Sequence, residues 1–394
     1  SDTVTVTADG NVVVTNLFGN TNVTDVSDFD MLVLDVRAGG DTITVEPGSL
    51  FANGIVIVGG DPSGSGDTVN LIKGAGAATI NVADRTIVSG IVAGNIELRE
   101  VEALNVIGSE GTADTFNVNN FGTATSLNQL NLDGGDAAGD DNDQVNVTTT
   151  NLPDSVDFTP QSPSVFDLHA SSSQLRLHAT GMNAVQGNVV IDASTTVDEL
   201  NINGSIANDV FSVARSGADV TAGTAVNGTA WVPVTARGFE HLNVRGNAGS
   251  DRLDVDNSGG LLDLPSGIRF DGGPGVDSLR LLGSTAVDTA EYTVGPAADQ
   301  GRVVHTLGGT VQVVEFNALE PVIDIVESEL LVSGNGAGNQ ISYEQGPNSG
   351  SSLVGGFETG LIYIDGFETL EFGNKFRLTV DGGAGDDRIN FSND

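Results

Sequence analysis

The sequence contains no cysteine and only two methionines, one tryptophan and two lysines. Without cysteine no disulfide bond can hold the chain together, so packing alone has to supply the stability of its core. The absence of cysteine does not place the protein inside or outside a cell, because extracellular proteins are permitted disulfides but do not require them.

Positive charge is also scarce in this sequence. Lys and Arg total 15 against 53 Asp and Glu, which gives a formal net charge of −38. A surface this acidic repels phosphate groups and anionic lipids, so we expect neither nucleic acid nor a lipid surface as a partner. No run of 18 apolar residues occurs, and no membrane span is predicted.

Helical patterns and common catalytic motifs are missing as well. No long segment follows the helical period, and the sequence has no Gly-x-Ser-x-Gly, no phosphate-binding loop and no His-Glu-x-x-His. The nearest approach to a catalytic group is His169 and His178 with Arg176 close by. We expect these histidines on two separate strands and assign them no catalytic role.

The sequence does contain one short motif that occurs nine times. Each copy begins with two apolar residues separated by one residue, followed by a turn rich in Gly, Asn and Asp. After the turn, an acidic or amide residue begins a second strand, in which apolar residues occupy every other position. The residue that opens this strand is Asp41, Asp67, Asp114, Asp143, Asp209, Asp251, Asp277, Asn339 or Asp387. Several copies follow a second signature of the form apolar, acid or amide, any residue, Leu, as in Val101-Glu102-Ala103-Leu104. The period of two throughout predicts strands with one buried face.

The spacing of these anchor residues indicates how the strands are arranged. Successive intervals are 26, 47, 29, 66, 42, 26, 62 and 48 residues, which cluster near one, two or three times a unit of about 23. We therefore predict an all-β fold with little helix, a parallel β-helix or β-solenoid of about 15 coils. Stacking would place equivalent apolar residues above one another in columns.

Two regions depart from the repeat. Residues 1–30 read as a pair of strands around Asp9-Gly10, and residues 148–190 contain three prolines and a run of serines. We predict an N-terminal strand pair at 1–30, acting either as a cap or as a strand shared between subunits. A solenoid over 31–394 follows, with an irregular insertion near 148–190. The repeat runs almost to Asp394, so either a head-to-tail copy or the neighbouring part of a longer surface protein would cover the last coil.

Two of the turns resemble the hemolysin-type calcium-binding nonapeptide, Gly-Gly-x-Gly-x-Asp-x-apolar-x. These turns span residues 272–280 and 382–390, and the turn at 246–254 differs from the pattern by one glycine. The longer frame, apolar-Glu-x-Leu-x-Val-x-Gly followed by Asp-x-Phe-x-Val, covers most of the chain. It is similar to repeats in large secreted surface proteins of planctomycetes and related bacteria. In the calcium-binding family the nonapeptides follow one another in tandem, whereas here the two strict copies lie far apart.

The resemblance implies calcium ligands in these turns. It points to Asp277 with the carbonyls of Gly273 and Gly275, to Asp387 with those of Gly383 and Gly385, and to Asp251. A separate candidate is the acidic turn, which we define by Asp133, Asp136, Asp140, Asp141 and Asp143, because five carboxylates this close would repel one another without a counter-ion. The repeated aspartates also have two roles that need no calcium: Asp can cap the backbone of its own turn, and an acidic surface suits high salt.

These observations predict a secreted, non-catalytic structural protein of the cell surface. It would be a subunit of a surface layer, stalk or filament, stabilised by Ca²⁺ and associating head to tail with copies of itself. The alternative from another class is a polysaccharide-binding or lyase-type β-helix enzyme, and a third is an adhesin module. Cell-surface polysaccharide is the further partner that these alternatives suggest.

Overall fold

The predicted all-β fold is confirmed. The computed structural model describes residues 1–48, 50–60, 66–74, 76–135, 142–182, 188–193, 196–349 and 358–392. Within these residues the chain forms 37 strands, and its only helix is a single 3₁₀ turn at Asn257–Gly259. No described helix is long and apolar enough to cross a membrane. The chain divides into two compact units: unit 1 comprises 1–198 and 231–235, and unit 2 comprises 199–230 and 236–394.

Unit 1 contains the first eighteen strands. They are β1 (Thr3–Val6), β2 (Asn11–Thr15), β3 (Thr21–Asp25), β4 (Met31–Asp35), β5 (Thr42–Val45), β6 (Gly54–Val58), β7 (Thr68–Ile72), β8 (Ala77–Asn81), β9 (Arg85–Ser89), β10 (Ile96–Arg99), β11 (Ala103–Ile107), β12 (Thr115–Phe121), β13 (Gln129–Asp133), β14 (Gln144–Thr149), β15 (Ser155–Ser162), β16 (Val165–Ala170), β17 (Arg176–Thr180) and β18 (Asn188–Asp192).

Apart from the antiparallel groups β1–β3, β8–β10 and β15–β17, these strands alternate along the chain between two sheets, as in the windings of a solenoid. One sheet runs in parallel through β1, β5, β7, β11, β13 and β17. The other joins β4, β6 and β10 in parallel, and β8, β12, β14 and β18 in parallel. Because consecutive windings contribute neighbouring strands, each apolar face is covered by the next winding.

Unit 2 contains the remaining strands, apart from β23, which the division of the chain cuts. They are β19 (Glu199–Asn203), β20 (Asp209–Ser216), β21 (Asp219–Val226), β22 (Thr229–Ala230), β23 (Val234–Arg237), β24 (His241–Arg245), β25 (Arg252–Asp256), β26 (Ile268–Asp271), β27 (Ser278–Leu282), β28 (Thr289–Val294), β29 (Gln300–Leu307), β30 (Thr310–Asn317), β31 (Val322–Asp324), β32 (Ser328–Ser333), β33 (Gln340–Gln345), β34 (Gly360–Ile364), β35 (Leu370–Phe372), β36 (Lys375–Asp381) and β37 (Arg388–Phe391).

The sheets of unit 2 repeat the parallel arrangement. One contains β19, β24, β26 and β30 in parallel, and β28, β32 and β36 in parallel. The other contains β20, β25, β27, β31 and β35 in parallel, with β33 parallel to β37.

Equivalent residues form columns through the interior, as predicted. In unit 1 the strand register places Ile43, Val69, Leu104, Leu130 and Leu177 in one line, and each is fully buried. Outward-facing asparagines form a second kind of column. Asn131 donates from Nδ2 to Asn105 Oδ1 at 2.6 Å, and Asn105 donates in the same way to Asn70 at 2.6 Å. Such amide ladders satisfy one another's hydrogen-bonding groups and fix the register of the strands.

The long intervals between successive repeated Asp or Asn residues contain antiparallel meanders. Within the parallel stacks, β8–β9–β10, β15–β16–β17, β28–β29–β30 and β33–β34–β35 each fold as three antiparallel strands. Three strands restore the original direction, so the parallel stacking continues beyond each meander. The meander β15–β16–β17 falls in the region 148–190, for which the sequence predicted an irregular insertion.

The N-terminal residues form a meander of their own. Strand β1 pairs in parallel with β5 and antiparallel with β2, and β2 continues to β3. The first strand is therefore paired on both edges within its own chain. The outermost strand, Thr21–Asp25, is exposed along its whole length.

Candidate functional site

The repeated aspartates form what we call the aspartate ladder. In five of these residues the side chain accepts a hydrogen bond from the backbone N–H of the equivalent residue one winding earlier. From donor to acceptor, the bonds run from Asp41 to Asp67 at 2.7 Å, Asp114 to Asp143 at 2.6 Å, Asp209 to Asp251 at 2.8 Å, Asp251 to Asp277 at 2.6 Å and Asn339 to Asp387 at 2.8 Å. The second signature takes part too, because Glu102 Oε2 accepts from the N–H of Asp67 at 2.6 Å. The carboxylates thus satisfy backbone donors just before each strand begins.

A glycine makes room for each ladder carboxylate. A side chain placed on Gly246 would meet Asp251 Oδ2 at 2.4 Å, and one on Gly272 would meet Asp277 Oδ2 at 2.7 Å. The same relation joins Gly108 to Asp114 and Gly204 to Asp209. The repeat requires its Leu-x-Val-x-Gly ending because only glycine leaves space for the acid that follows.

The ladder residues differ in how the side-chain oxygen that takes no part in the ladder is bound. Asp209 Oδ2 accepts from the N–H of Ser205 at 2.6 Å, and Asn339 Oδ1 accepts from the N–H of Asn335 at 3.1 Å. Among the described residues, by contrast, Oδ2 of Asp67, Asp251 and Asp277 is buried with no hydrogen-bond partner. An ionised oxygen in such a position is costly.

The pKa values of these carboxyls reflect that cost. Burial raises the pKa of Asp251 to about 6, and the nearby carboxylates of Asp209 and Asp277 add to the rise, whereas the Asp209 N–H opposes it. Burial likewise raises the pKa of Asp67 and of Asp277. All three side chains are at least 99% buried. The ladder therefore holds carboxyl groups that favour the protonated form more than ordinary aspartates do.

The glycines predicted to supply calcium ligands lie where successive turns stack. A side chain on Gly275 would lie 1.5 Å from the carbonyl oxygen of Gly249, and one on Gly273 would lie 2.0 Å from that of Asn247. Gly273 also has a φ of +85°, which favours glycine. Gly383 and Gly385 pack in the same way on the turn at 334–338. The two strict nonapeptides therefore do not stand alone, since each stacks on a degenerate copy.

Calcium binding in the ladder turns stays a prediction. Calcium takes six to eight oxygen ligands, whereas the Oδ1 atoms of Asp251, Asp277 and Asp387 each bind a backbone N–H. The second oxygens of Asp251 and Asp277 face a glycine Cα. Across the described ranges, no group of three or more His, Asp or Glu side chains is placed to hold a metal ion.

The acidic turn is only partly described. Asp133 is exposed and its Oδ1 accepts from the N–H of Gly135 at 3.0 Å, while Asp143 is buried in the aspartate ladder. Asp136, Asp140 and Asp141 lie outside the described residues. Calcium binding at this turn stays a prediction.

The two histidines lie on separate strands, as expected, in the meander β15–β16–β17. His178 Nδ1 lies 2.5 Å from Asp167 Oδ1, and His169 Nδ1 lies 3.8 Å from Asp157 Oδ2. These pairs are part of the exposed face of antiparallel strands, and each imidazole has a carboxylate on the neighbouring strand.

Unit 2 also has an open pocket of about 540 Å³ with an acidic lining. Its walls include Asp299, Glu320 and Glu368, together with the rings of Tyr363 and Phe367. Burial raises the pKa of Glu368 to about 7, and the charges of Glu320 and Asp299 add to the rise, although the N–H of Thr369 opposes it. Glu368 can therefore carry a proton near neutral pH. Glu368 is the acid of one copy of the second signature, Phe367-Glu368-Thr369-Leu370, and that signature predicts a strand and not a pocket.

No protein-family model matches this chain, and none of the curated proteins matches it. The assignment of function therefore rests on the geometry of the chain itself.

Proposed function

We propose that this chain is a non-catalytic structural subunit of an extracellular surface layer, stalk or filament, and that it associates with copies of itself. The observation that carries the proposal is the exposed apolar surface on β4 in unit 1 and on β36 and β37 in unit 2. In unit 1, Met31 and Val33 on β4 are 49% and 59% exposed. In unit 2, Phe376 on β36 and Phe391 on β37 are 64% and 65% exposed.

These strands also have free edges within the described residues. There, β3 pairs only with β2, β4 only with β6, β36 only with β32 and β37 only with β33. Exposed apolar edge strands pair with other chains unless they are covered. Because each end offers strands of the same solenoid type, a second copy of the chain is the occupant that fits. A head-to-tail contact of this kind does not close on itself, so it builds a filament or array.

The use of the repeated carboxylates supports a structural role. The ladder residues bind backbone N–H groups of adjacent windings, and their partner glycines allow the close stacking. The sequence features that recur most often therefore serve the stacking of the chain. The extracellular location is supported by the acidic composition and by the resemblance of the repeat to those of secreted bacterial surface proteins.

Self-association can be tested with charged substitutions on the end strands. We expect Val33→Lys and Phe391→Lys each to weaken assembly at least about tenfold, because a buried charge would replace an apolar contact. Val311→Lys is the matched control, since Val311 is 49% exposed but lies within the meander β28–β29–β30. Light scattering over a concentration series, with negative-stain imaging, gives the readout. A wild-type chain that stays monomeric at every concentration rules out self-association and leaves a further segment of the same protein as the occupant.

Calcium stabilisation forms a separate part of the proposal and applies to the acidic turn. Adding Ca²⁺ to chelator-treated protein is expected to raise the free energy of unfolding by about 2.7 kcal/mol when calcium reaches a hundred times its dissociation constant. The triple variant Asp136→Asn, Asp140→Asn, Asp141→Asn should remove this gain. Thermal unfolding followed by circular dichroism measures it, and an unchanged melting temperature with and without calcium would show that the prediction is wrong.

The polysaccharide-binding alternative is favoured by one feature, the acidic pocket of unit 2. A protonated Glu368 beside two aromatic rings is suited to hydrogen-bond and stack against a neutral sugar. Titration calorimetry with neutral polysaccharides, comparing the wild type with Glu368→Gln, decides whether the pocket binds them.

A further inference from the structure

The chain has only two lysines, and both are buried against an aspartate. Lys73 contacts Asp114 in unit 1, and Lys375 lies 2.9 Å from Asp324 Oδ1 in unit 2. The side chains of the second pair are 3% and 1% exposed. Such burial is unusual for lysine and implies that each ammonium group is held in a fixed position.

The surroundings of Lys375 fix its nitrogen against the carboxyl group. Nζ donates to Ser328 Oγ at 3.0 Å and to the carbonyl oxygen of Val326, in addition to Asp324. The three protons of the ammonium group thus have three acceptors. Once a proton passes from Nζ to Asp324 Oδ1, the nitrogen lone pair points at the carboxyl group.

A buried imidazole lies on the opposite side of the same carboxylate. His305 Nε2 is 3.0 Å from Asp324 Oδ2, and its Nδ1 is 3.2 Å from Asn257 Nδ2. Because an amide nitrogen only donates, Nδ1 accepts, and Nε2 carries the proton toward Asp324. His305, Asp324 and Asn257 are fully buried. The described residues around Lys73 and Asp114 include no comparable imidazole.

The ionic form of this group is expensive to keep in the interior. Burial alone raises the pKa of Asp324, but the charge of Lys375 and the hydrogen bonds from His305 and Lys375 outweigh it and hold that pKa well below its usual range. Burial lowers the pKa of Lys375, against the opposing effect of Asp324. A buried ion pair recovers its desolvation cost only in part, whereas a neutral amide in the same place has no such cost.

We infer that Lys375 and Asp324 condense to an intramolecular amide bond, with His305 as the hydrogen-bond donor that stabilises the oxyanion. The Lys375 ammonium first transfers a proton to Oδ1 of the carboxylate, and the neutral amine attacks Cγ. The Nζ–Cγ bond forms, and the negative charge that develops on Oδ2 is stabilised by the His305 Nε2–H. The second proton from Nζ passes to Oδ1, the Cγ–Oδ1 bond breaks as water leaves, and Oδ2 forms the carbonyl again. Nitrogen loses two protons, the carboxylate loses one oxygen, and these leave as water, so no oxidant or cofactor is needed.

The contact between the amine and the carboxyl group in the folded protein favours a condensation that is unfavourable in bulk water. Groups held in contact inside a folded protein react as if at very high concentration, and exclusion of water protects the amide from hydrolysis. The bond would join the start of β36 to the end of β31 and tie together two strands of unit 2. Lys73 and Asp114, which lack an imidazole, are expected to remain an ion pair.

Intact-mass measurement of the purified full chain tests the inference. The wild type is expected to be lighter than its sequence mass by one water molecule, and protease digestion should give a branched peptide that joins Lys375 to Asp324. His305→Leu keeps both bonding partners but removes the donor to Oδ2, and it should form the bond about a hundredfold more slowly or worse. Lys375→Met should show the full sequence mass, and Lys73→Met should keep the deficit of one water.

Two outcomes would overturn the inference. One is a wild-type mass equal to that of the sequence after prolonged incubation of the folded protein. The other is a mass deficit that maps elsewhere, either to Lys73 and Asp114 or to a succinimide at an Asp-Gly step such as Asp271-Gly272. Because His305→Leu changes neither bonding partner, it stays informative even where Lys375→Met fails to fold.

Discussion

Replacing Gly275 with alanine is expected to lower the free energy of unfolding of unit 2 by about 3 kcal/mol or more. The new Cβ would lie 1.5 Å from the carbonyl oxygen of Gly249, to which residue 275 is joined by a parallel bridge. The obstacle is backbone, so no side-chain rotation can relieve it. The turns at 246–251 and 272–277 would have to separate, and the ladder bond from the N–H of Asp251 to Asp277 would be lost with them.

Gly336 offers a matched control for this substitution. It lies in the equivalent turn at 334–339, and nothing comes within 4 Å of the position that its Cβ would take. Gly336→Ala is expected to be neutral or to stabilise the chain by up to about 1 kcal/mol, because alanine restricts the unfolded chain. Urea unfolding followed by circular dichroism, with hydrogen exchange to localise the effect in unit 2, separates the two variants. Equal losses from both substitutions would contradict the close stacking of turns.

The second large effect concerns Asp251 and pH. Its pKa in the folded chain is about 6, above the ordinary value of 3.8. The folded state therefore holds this proton more tightly, and the contribution of Asp251 is fully present below its unfolded pKa. That contribution is lost as pH rises through the folded pKa, an expected loss of about 3 kcal/mol between pH 4 and pH 7. Asp67, Asp209 and Asp277 also have raised pKa values and act in the same direction.

Asp251→Asn is expected to remove this part of the pH dependence and to stabilise the protein near neutral pH. An asparagine oxygen can still accept from the N–H of Asp209, and the new amide group can donate to Asn247. The structure already contains this pairing, since Asn339 Nδ2 donates to Asn335 Oδ1 at 3.0 Å in the equivalent turn. Asp251→Ala should instead cost about 1–3 kcal/mol at low pH, because it leaves a buried N–H without an acceptor. Urea midpoints across this pH range measure both variants. The same change of midpoint with pH in the wild type and in Asp251→Asn would show that the pKa of Asp251 is not raised.

The repeat itself was sufficient to predict the fold. Its period of two and its Gly-to-Asp turns indicated parallel windings with columns of like residues, and the line from Ile43 to Leu177 confirms them. The antiparallel meanders could not be predicted from spacing alone. Their strands have the same alternation as the parallel ones, and the direction of a strand depends on its neighbour rather than on its own residues.

The site was predicted less well, for a related reason. The sequence marked the repeated Asp and Gly residues as important but left open whether they bind ions or backbone. In the described turns the answer depends on the preceding winding, whose N–H groups reach the carboxylates of Asp251 and Asp277. The group formed by His305, Asp324 and Lys375 is assembled from three strands far apart in sequence. The only advance signal was the rarity of lysine, and rarity alone does not indicate that a lysine is buried.

The three-stranded meanders have a consequence for how such a protein can change. In each meander the third strand pairs with a strand of the preceding winding, and the first strand pairs with a strand of the following winding. In the meander β28–β29–β30, for example, β30 pairs with β26 and β28 pairs with β32, both in parallel, so the direction of the parallel sheet is kept. A loop at the tip of a meander can therefore lengthen without shifting any other strand. Gly308 and Gly309, at the tip between β29 and β30, have no neighbouring atom within 4 Å of an added Cβ. A foreign peptide inserted at this tip would leave the pairing of the strands unchanged. The sequence of the tip can likewise vary during evolution while the sheets are preserved.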